Sequence, residues 1–406
     1  GGTHIPNSAF YQMSMLEEII IPDSITNIDS YAFYQCANLK GMNIKDKVTE
    51  IGSHVFDGCT SFKVIPYGKN LKTTGDYAFA NCTGLIGAKT AVEVPSTYTS
   101  IGAGAFSNCT NLKNINIPDT ITFIGNNAFE NCTSIKNLTI PKSIESMGTN
   151  MLNGCTNLEK LTIPFASTLK KYADNGSNDT YSQVSDLFIS TWPTACNEAL
   201  KDYAIKTIEV TGGTHIPNSA FYQMSMLEEV ILHEPTTIID SYAFYQCSSL
   251  KGMDIPDSIT EIGSHVFDGC TSFKVIPYGR NLKIIGDYAF ANCTSLIGDK
   301  TAIEVPSTYT SIGANAFENC TNLQNIHIPN TVISIGSSAF ANCTSLTELV
   351  IPKSVESMGT NMLNGCTNIE KLTIPFASTL KKYAYNGGND TYSQVSDLFI
   401  STWHFN

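Results

Sequence analysis

Thirteen cysteines and seven histidines are the residues of this 406-residue chain with the widest chemistry open to them. Twelve of the cysteines keep a beat: Cys36, Cys59, Cys82, Cys109, Cys132 and Cys155, then Cys247, Cys270, Cys293, Cys320, Cys343 and Cys366. Successive members of each run are 23 residues apart, except for one step of 27 before Cys109 and before Cys320. Disulfides, zinc ligation and nucleophilic catalysis are what such thiols offer. Zinc needs clustered ligands such as C-x-x-C, and no two cysteines here stand closer than 23 residues, so no metal is expected. A disulfide needs Cβ atoms that face each other. Equivalent positions of stacked coils, about 5 Å apart, carry parallel Cβ vectors, which favours buried free thiols packing as small apolar residues. Cys196 stands outside the series and is expected to be the exposed thiol.

The histidines are His4, His54, His215, His233, His265, His327 and His404. His54 and His265 occupy a position filled elsewhere by Asn126-Asn127 or Ser337-Ser338. A general base needs an orienting partner, and a position open to any small polar residue predicts a surface histidine without one. The sequence has no nucleophile elbow, phosphate loop, EF-hand loop or histidine pair on a helix. Neither enzymatic activity nor a cofactor is expected.

What positions the cysteines is a repeat of the whole surrounding segment. Residues 112–134 read LKNINIPDTITFIGNNAFENCTS, and residues 250–272 read LKGMDIPDSITEIGSHVFDGCTS. Ile115 and Ile117 alternate inward along a short strand, which ends where Pro118 lacks a donor. A second β-leaning stretch, 121–124, stops at Gly125, a residue that permits positive φ or close backbone approach. Ala128, Phe129 and Cys132 then place apolar residues at i, i+1 and i+4, which predicts one short helical turn. A period of this length means a solenoid, in which each coil buries its apolar face against its neighbours.

The pattern L-x-x-I-x-I-P-x-x-I-T-x-I-G-x-x-A-F-x-x-C resembles the BspA-like leucine-rich repeats of surface proteins, over nearly the whole chain. The resemblance implies a leucine-rich repeat solenoid, a curved right-handed array with a parallel β-sheet on its concave face and short strands and helical turns elsewhere. It also implies adhesion to host or neighbouring cells, because many members of that family are adhesins.

The array itself is duplicated. Cys36 and Cys247 are 211 residues apart, and the same offset relates the two halves without a gap. The reading divides the chain into a first repeat block at 1–157, which starts inside a repeat, and an irregular long-loop junction at 158–204. A second block follows at 205–368, then a final strand and irregular segment at 369–406. The junction is expected to pack over the end of a block, with Trp192 and Tyr203 at the contact. Because the chain starts within a repeat, a leader and an anchor are expected outside it. A formal charge of −12 excludes a nucleic-acid partner, since phosphate affinity rests on clustered Lys and Arg, and Lys170-Lys171 and Lys381-Lys382 read as solvated edges. No run reaches the length of a membrane span.

Insertions and outward strand positions are where solenoids bind. The fourth unit of each block carries four extra residues near 87–90 and 298–301. The outward position of the first strand is Asn43, Asn116, Thr139 and Thr162 in the first block, and Asp254, His327, Val350 and Thr373 in the second. Tyr98 and Tyr309 have no assigned core slot and join this candidate surface, whereas Tyr67 and Tyr278 are expected to point inward. Asn-Cys-Thr recurs at Asn81, Asn108, Asn131, Asn292, Asn319 and Asn342, with a turn role favoured over glycosylation. Asn178 and Asn389 are the better acceptors. The leading functional expectation is a monomeric, non-catalytic cell-surface or secreted protein that binds a host or neighbouring-cell protein or glycan. A structural stalk, or a targeting region of a larger enzyme, are the alternatives.

Overall fold

The computed structural model describes residues 2–87, 90–164, 203–297 and 302–375. They fall into two compact units, Gly1–Gly212 and Gly213–Asn406. Each unit is a parallel-strand solenoid whose coils hydrogen-bond to the coils before and after.

Two ladders of very short strands run through each array. In the first unit the second strand of the repeat forms the ladder Ser100–Ile101, Phe123–Ile124, Ser146–Met147. The register is Ser100 opposite Phe123 opposite Ser146, one period apart. The first strand forms Val92–Glu93 with Ile115–Asn116, and Asn137–Thr139 with Lys160–Ile163. Strands end after two to four residues because Pro118, Pro141 and their equivalents cannot donate to a ladder. Between the second strand and the turns sits Gly125. A Cβ there would lie 2.5 Å from the Ala103 nitrogen of the preceding coil, so close backbone approach, rather than positive φ, is what requires glycine.

The expected helical turn is absent. Among the described residues there is no helix. Instead each coil enters the left-handed region twice, four residues apart, as at Asn127 (φ 55°) and Asn131 (φ 56°), which breaks any helix. Asn tolerates this conformation better than most residues. The payoff is a third ladder. Phe129 N donates to Met151 O and Asn131 N to Asn153 O of the next coil, while Glu130 N and Cys132 N close turns within their own coil. No buried amide of this corner depends on a helical partner.

The corner carries the core. Phe33, Phe56, Phe79, Phe106 and Phe129 are fully buried and stack nearly parallel, with successive centroids 5.8, 5.5, 5.7 and 5.5 Å apart. The second unit repeats the column from Phe221 to Phe340. Phe79 and Phe106 are 27 residues apart, yet their spacing matches that of the 23-residue pairs. The four extra residues therefore leave the stack untouched. Residues 88–89 and 298–301, within those insertions, lie outside the described residues, as do 165–202 and 376–406 with Cys196, Trp192, Asn178 and Asn389.

All twelve cysteines of the series are free and buried. Each thiol donates to a backbone carbonyl of the preceding coil: Cys132 Sγ to Phe106 O at 3.2 Å and Cys155 Sγ to Phe129 O at 3.1 Å. The packing role expected of these residues holds, with a weak hydrogen bond between coils added to it.

Candidate functional site on the strand face

Outward positions of the first strand are exposed where the ladder forms. Asn116, Thr139, His327, Val350 and Thr373 are exposed, and Thr162 is half-buried. Asn43 and Asp254 are exposed too, but no first strand forms in their coils. Gly41 and Gly252 two residues earlier are poor strand formers, and Pro66 and Pro277 in the following coil bring no N–H to pair. The structure therefore separates Asn43 and Asp254 from the paired positions.

Tyr98 and Tyr309 do not belong to any surface. Both are buried, with the Tyr98 hydroxyl donating to Pro66 O at 2.8 Å and the Tyr309 hydroxyl to Pro277 O at 3.1 Å. Tyr67 and Tyr278, expected inside, are 58% exposed. The exchange has one cause: burial of Pro66 turns Tyr67 outward, and the Tyr98 ring reaches from the next coil to the backbone there. Its phenol pKa is pushed up by burial. Tyr98→Phe is expected to cost about 1–3 kcal/mol in denaturant unfolding, the penalty of an orphaned buried carbonyl; a neutral result would mean that water satisfies Pro66 O.

His54 also differs from expectation. Its Nδ1 donates to Asp57 Oδ2 at 2.8 Å, and its ring is sandwiched between Tyr31 and Tyr77, each 4.8 Å away. His265, Asp268, Tyr242 and Tyr288 repeat the arrangement. Asp57 is buried, and its other oxygen accepts from Asn81 Nδ2 at 2.7 Å. The imidazole thus has an orienting carboxylate, with both faces covered. The asparagines of the Asn-Cys-Thr triplets sit at positive φ and bond from coil to coil, as Asn131 Nδ2 does to Asn108 Oδ1 at 2.9 Å, which is the turn role expected of them.

The second unit gathers its outward residues around a recess. Ile303–Glu304, Asn325–His327, Glu348–Val350 and Lys371–Thr373 form one parallel ladder, with Glu304 opposite His327, Glu348 opposite Lys371 and Val350 opposite Thr373. An open recess of ≈ 370 Å³ is lined by Ala302, Asn325, Ile326, His327, Ile328, Asn330, Glu348, Val350 and Pro352. This lies in the size range of small-ligand sites. At its rim His327 Nδ1 donates to Glu304 Oε2 at 2.6 Å, and Lys371 pairs with Glu348. The apolar floor is shared with the first block, where Ala91, Ile115, Ile117 and Pro141 stand at the equivalent places. The rim is not: Asn116, Asp119, Asn137 and Thr139 are replaced by His327, Asn330, Glu348 and Val350. In the first block Asn116 Nδ2 donates to Glu93 Oε2 at 3.1 Å. Sequence reading named His327 and Val350 but missed Asn330 and Glu348; the change between the copies was the available signal.

A family model for the BspA type leucine-rich repeat region matches residues 3–90, 88–185, 214–301 and 299–396. The chain belongs to the BspA-type leucine-rich repeat family. A leucine-rich repeat protein from Bacteroides ovatus is similar to this BspA-type chain at 26% identity and a TM-score of 0.49, covering 91% of this chain and 82% of its own. A leucine-rich cell surface protein from Faecalibacterium prausnitzii is similar at 28% identity and a TM-score of 0.32, with coverage of 80% and 76%. A leucine-rich repeat protein from Eubacterium ventriosum shows 20% identity and a TM-score of 0.39, with coverage of 90% and 87%. No curated protein sequence matches the chain. Among the described residues of this BspA-type array, no helix is long and apolar enough to cross a membrane. No group of three or more His, Cys, Asp or Glu among them is placed to hold a metal.

Proposed function

We propose that this chain is a non-catalytic binding protein of a cell surface, recognising a host or neighbouring-cell protein or glycan through the strand face of its repeats, with the recess around His327 and Val350 as an anchor point. The observation that carries this reading is the contrast within the recess: floor residues are identical in the two blocks, while four rim residues differ. A rim that changes over a retained floor is what two surfaces with different preferences require, since specificity is a difference between affinities. The cell-surface description of the Faecalibacterium protein supports the location.

The test is binding of the chain to a panel of matrix proteins, mucins and glycans, followed by the double variant His327→Asn with Val350→Thr, which restores first-block residues. At least one panel member is expected to bind, with the variant weaker by about fivefold or more, the loss of roughly 1 kcal/mol typical of an anchor residue. Silence across the panel would favour a spacer, and unchanged affinity in the variant would move the site elsewhere.

A further inference from the structure

Turn corners of the second block are joined by side-chain amides as well as by backbone. Asn342 Nδ2 donates to Asn319 Oδ1 at 2.9 Å, Asn319 Nδ2 to Asn292 Oδ1 at 3.1 Å, and Asn292 Nδ2 to Asp268 Oδ1 at 2.7 Å. The other oxygen of Asp268 accepts from His265 Nδ1 at 2.9 Å. One chain of hydrogen bonds thereby runs through successive coils, from the third of the block to the sixth. All three asparagines sit in the left-handed region, each at φ 59°, so the chain also holds the turns that carry it.

Every link points the same way, and the cause lies at one end. A carboxylate only accepts, whereas an amide side chain can present either its oxygen or its NH2. Asp268 is buried, so Asn292 must turn its NH2 toward it. The Asn292 oxygen then faces Asn319, which answers with its own NH2, and the same choice is passed on to Asn342. Reversal would set an amide oxygen against a buried carboxylate oxygen with no proton between them, leaving both unsatisfied. Aligned hydrogen bonds also polarise one another, which strengthens the chain in the direction it already has. The oxygen left over is Asn342 Oδ1, and the coil after it has Gly365 at that place, where a Cβ would lie 2.1 Å from this oxygen. The first block has the same residues in Asp57, Asn81, Asn108 and Asn131. There Asn81 Nδ2 donates to Asp57 Oδ1 at 2.7 Å and Asn131 Nδ2 to Asn108 Oδ1 at 2.9 Å, but among the described residues no bond joins Asn108 to Asn81.

We propose that Asp268 sets the polarity of an amide wire that couples the turn corner of the third coil to that of the sixth, whereas Asp57 reaches no further than Asn81. The buried carboxylate is in this sense a conformational device. It decides which way round three side chains lie on coils that it does not touch, and a change made at its site is felt at Asn342. The two blocks carry the same residues and differ in one link, so each serves as the control for the other.

The experiment follows the side-chain NH2 resonances of these asparagines in the full, 15N-labelled chain and measures their hydrogen exchange. Asp268→Ala places at this corner the residue already found at the equivalent positions Ala291 and Ala341. Exchange at Asn292 is expected to rise about tenfold with the loss of a hydrogen bond to a charged acceptor, and exchange at Asn342, two links further on, by about twofold or more. Asp57→Ala should speed Asn81 alone and leave Asn108 and Asn131 as they were. Should Asp268→Ala fail to fold, Asn319→Gly cuts the wire at its middle while keeping a residue suited to the left-handed turn. Polarity then demands an unequal response: Asn342 loses its acceptor and exchanges faster, and Asn292, still held by Asp268, does not. An unchanged Asn342 in Asp268→Ala, a response of Asn131 in Asp57→Ala as large as that of Asn342, or equal changes on both sides of Asn319→Gly would each overturn the proposal.

Discussion

Between about pH 9 and pH 12 the folded chain is expected to lose stability steeply, at up to about 1.4 kcal/mol per pH unit for each buried thiol. Burial pushes Cys109, Cys155 and Cys320 from an ordinary value of 9.0 up to about 12, and it drives Cys82, Cys132, Cys270 and Cys293 well above 9.0. The same thiols in the unfolded chain ionise near their ordinary value. Over this window the folded state therefore holds more protons than the unfolded one, and stability falls as pH rises. Below about pH 8.5 the contribution is fully present. Urea denaturation at a series of pH values measures the slope directly. Cys109→Ala should flatten it by about 1.4 kcal/mol per pH unit, whatever the substitution does to stability at neutral pH. A slope that ignores the thiols would mean that they titrate normally in the fold.

Phe106→Ala is the second large effect, about 3–5 kcal/mol of destabilisation. The ring is fully buried and touches two others, with centroids 5.7 Å from Phe79 and 5.5 Å from Phe129. Its loss opens a cavity shared by three coils, which the backbone cannot collapse because the turn ladder fixes coil spacing. Coils of a solenoid depend mainly on their neighbours. Hydrogen exchange should accordingly accelerate most at the amides of Phe79, Phe106 and Phe129, with the second unit unchanged. Uniform loss of protection across both units would contradict this local picture.

Much of the fold was legible because one side-chain type holds each core column. The Phe129 and Cys132 positions announce their inward direction in most coils, with Leu152 and Leu363 replacing phenylalanine and Met13 and Met224 replacing cysteine. The left-handed turn positions were harder to read. Asn131 signals one openly, but Tyr31, His54 and Tyr77 hold the same conformation at the first of the two positions, and such residues suggest no turn. The aromatic-histidine stack that keeps them there joins three coils and leaves no trace within any one. The exchange of Tyr67 for Tyr98 was hidden for a similar reason: which of two tyrosines goes inside depends on how the buried proline of one coil turns its backbone toward the next. Of the recess, the outward column was readable from strand alternation, whereas its closure by Asn330, Glu348 and Pro352 depends on how separate coils converge.

Equal spacing of the phenylalanine stack across steps of 23 and 27 residues means that the lattice counts coils rather than residues. Length can be added beside the strand face at the small entropic cost of a longer loop, which grows only logarithmically, while the core registers no change. The fourth coil is in that sense a port. Variation entering there leaves the phenylalanine stack in place, so sequence can change at that point without renegotiating the fold that carries it.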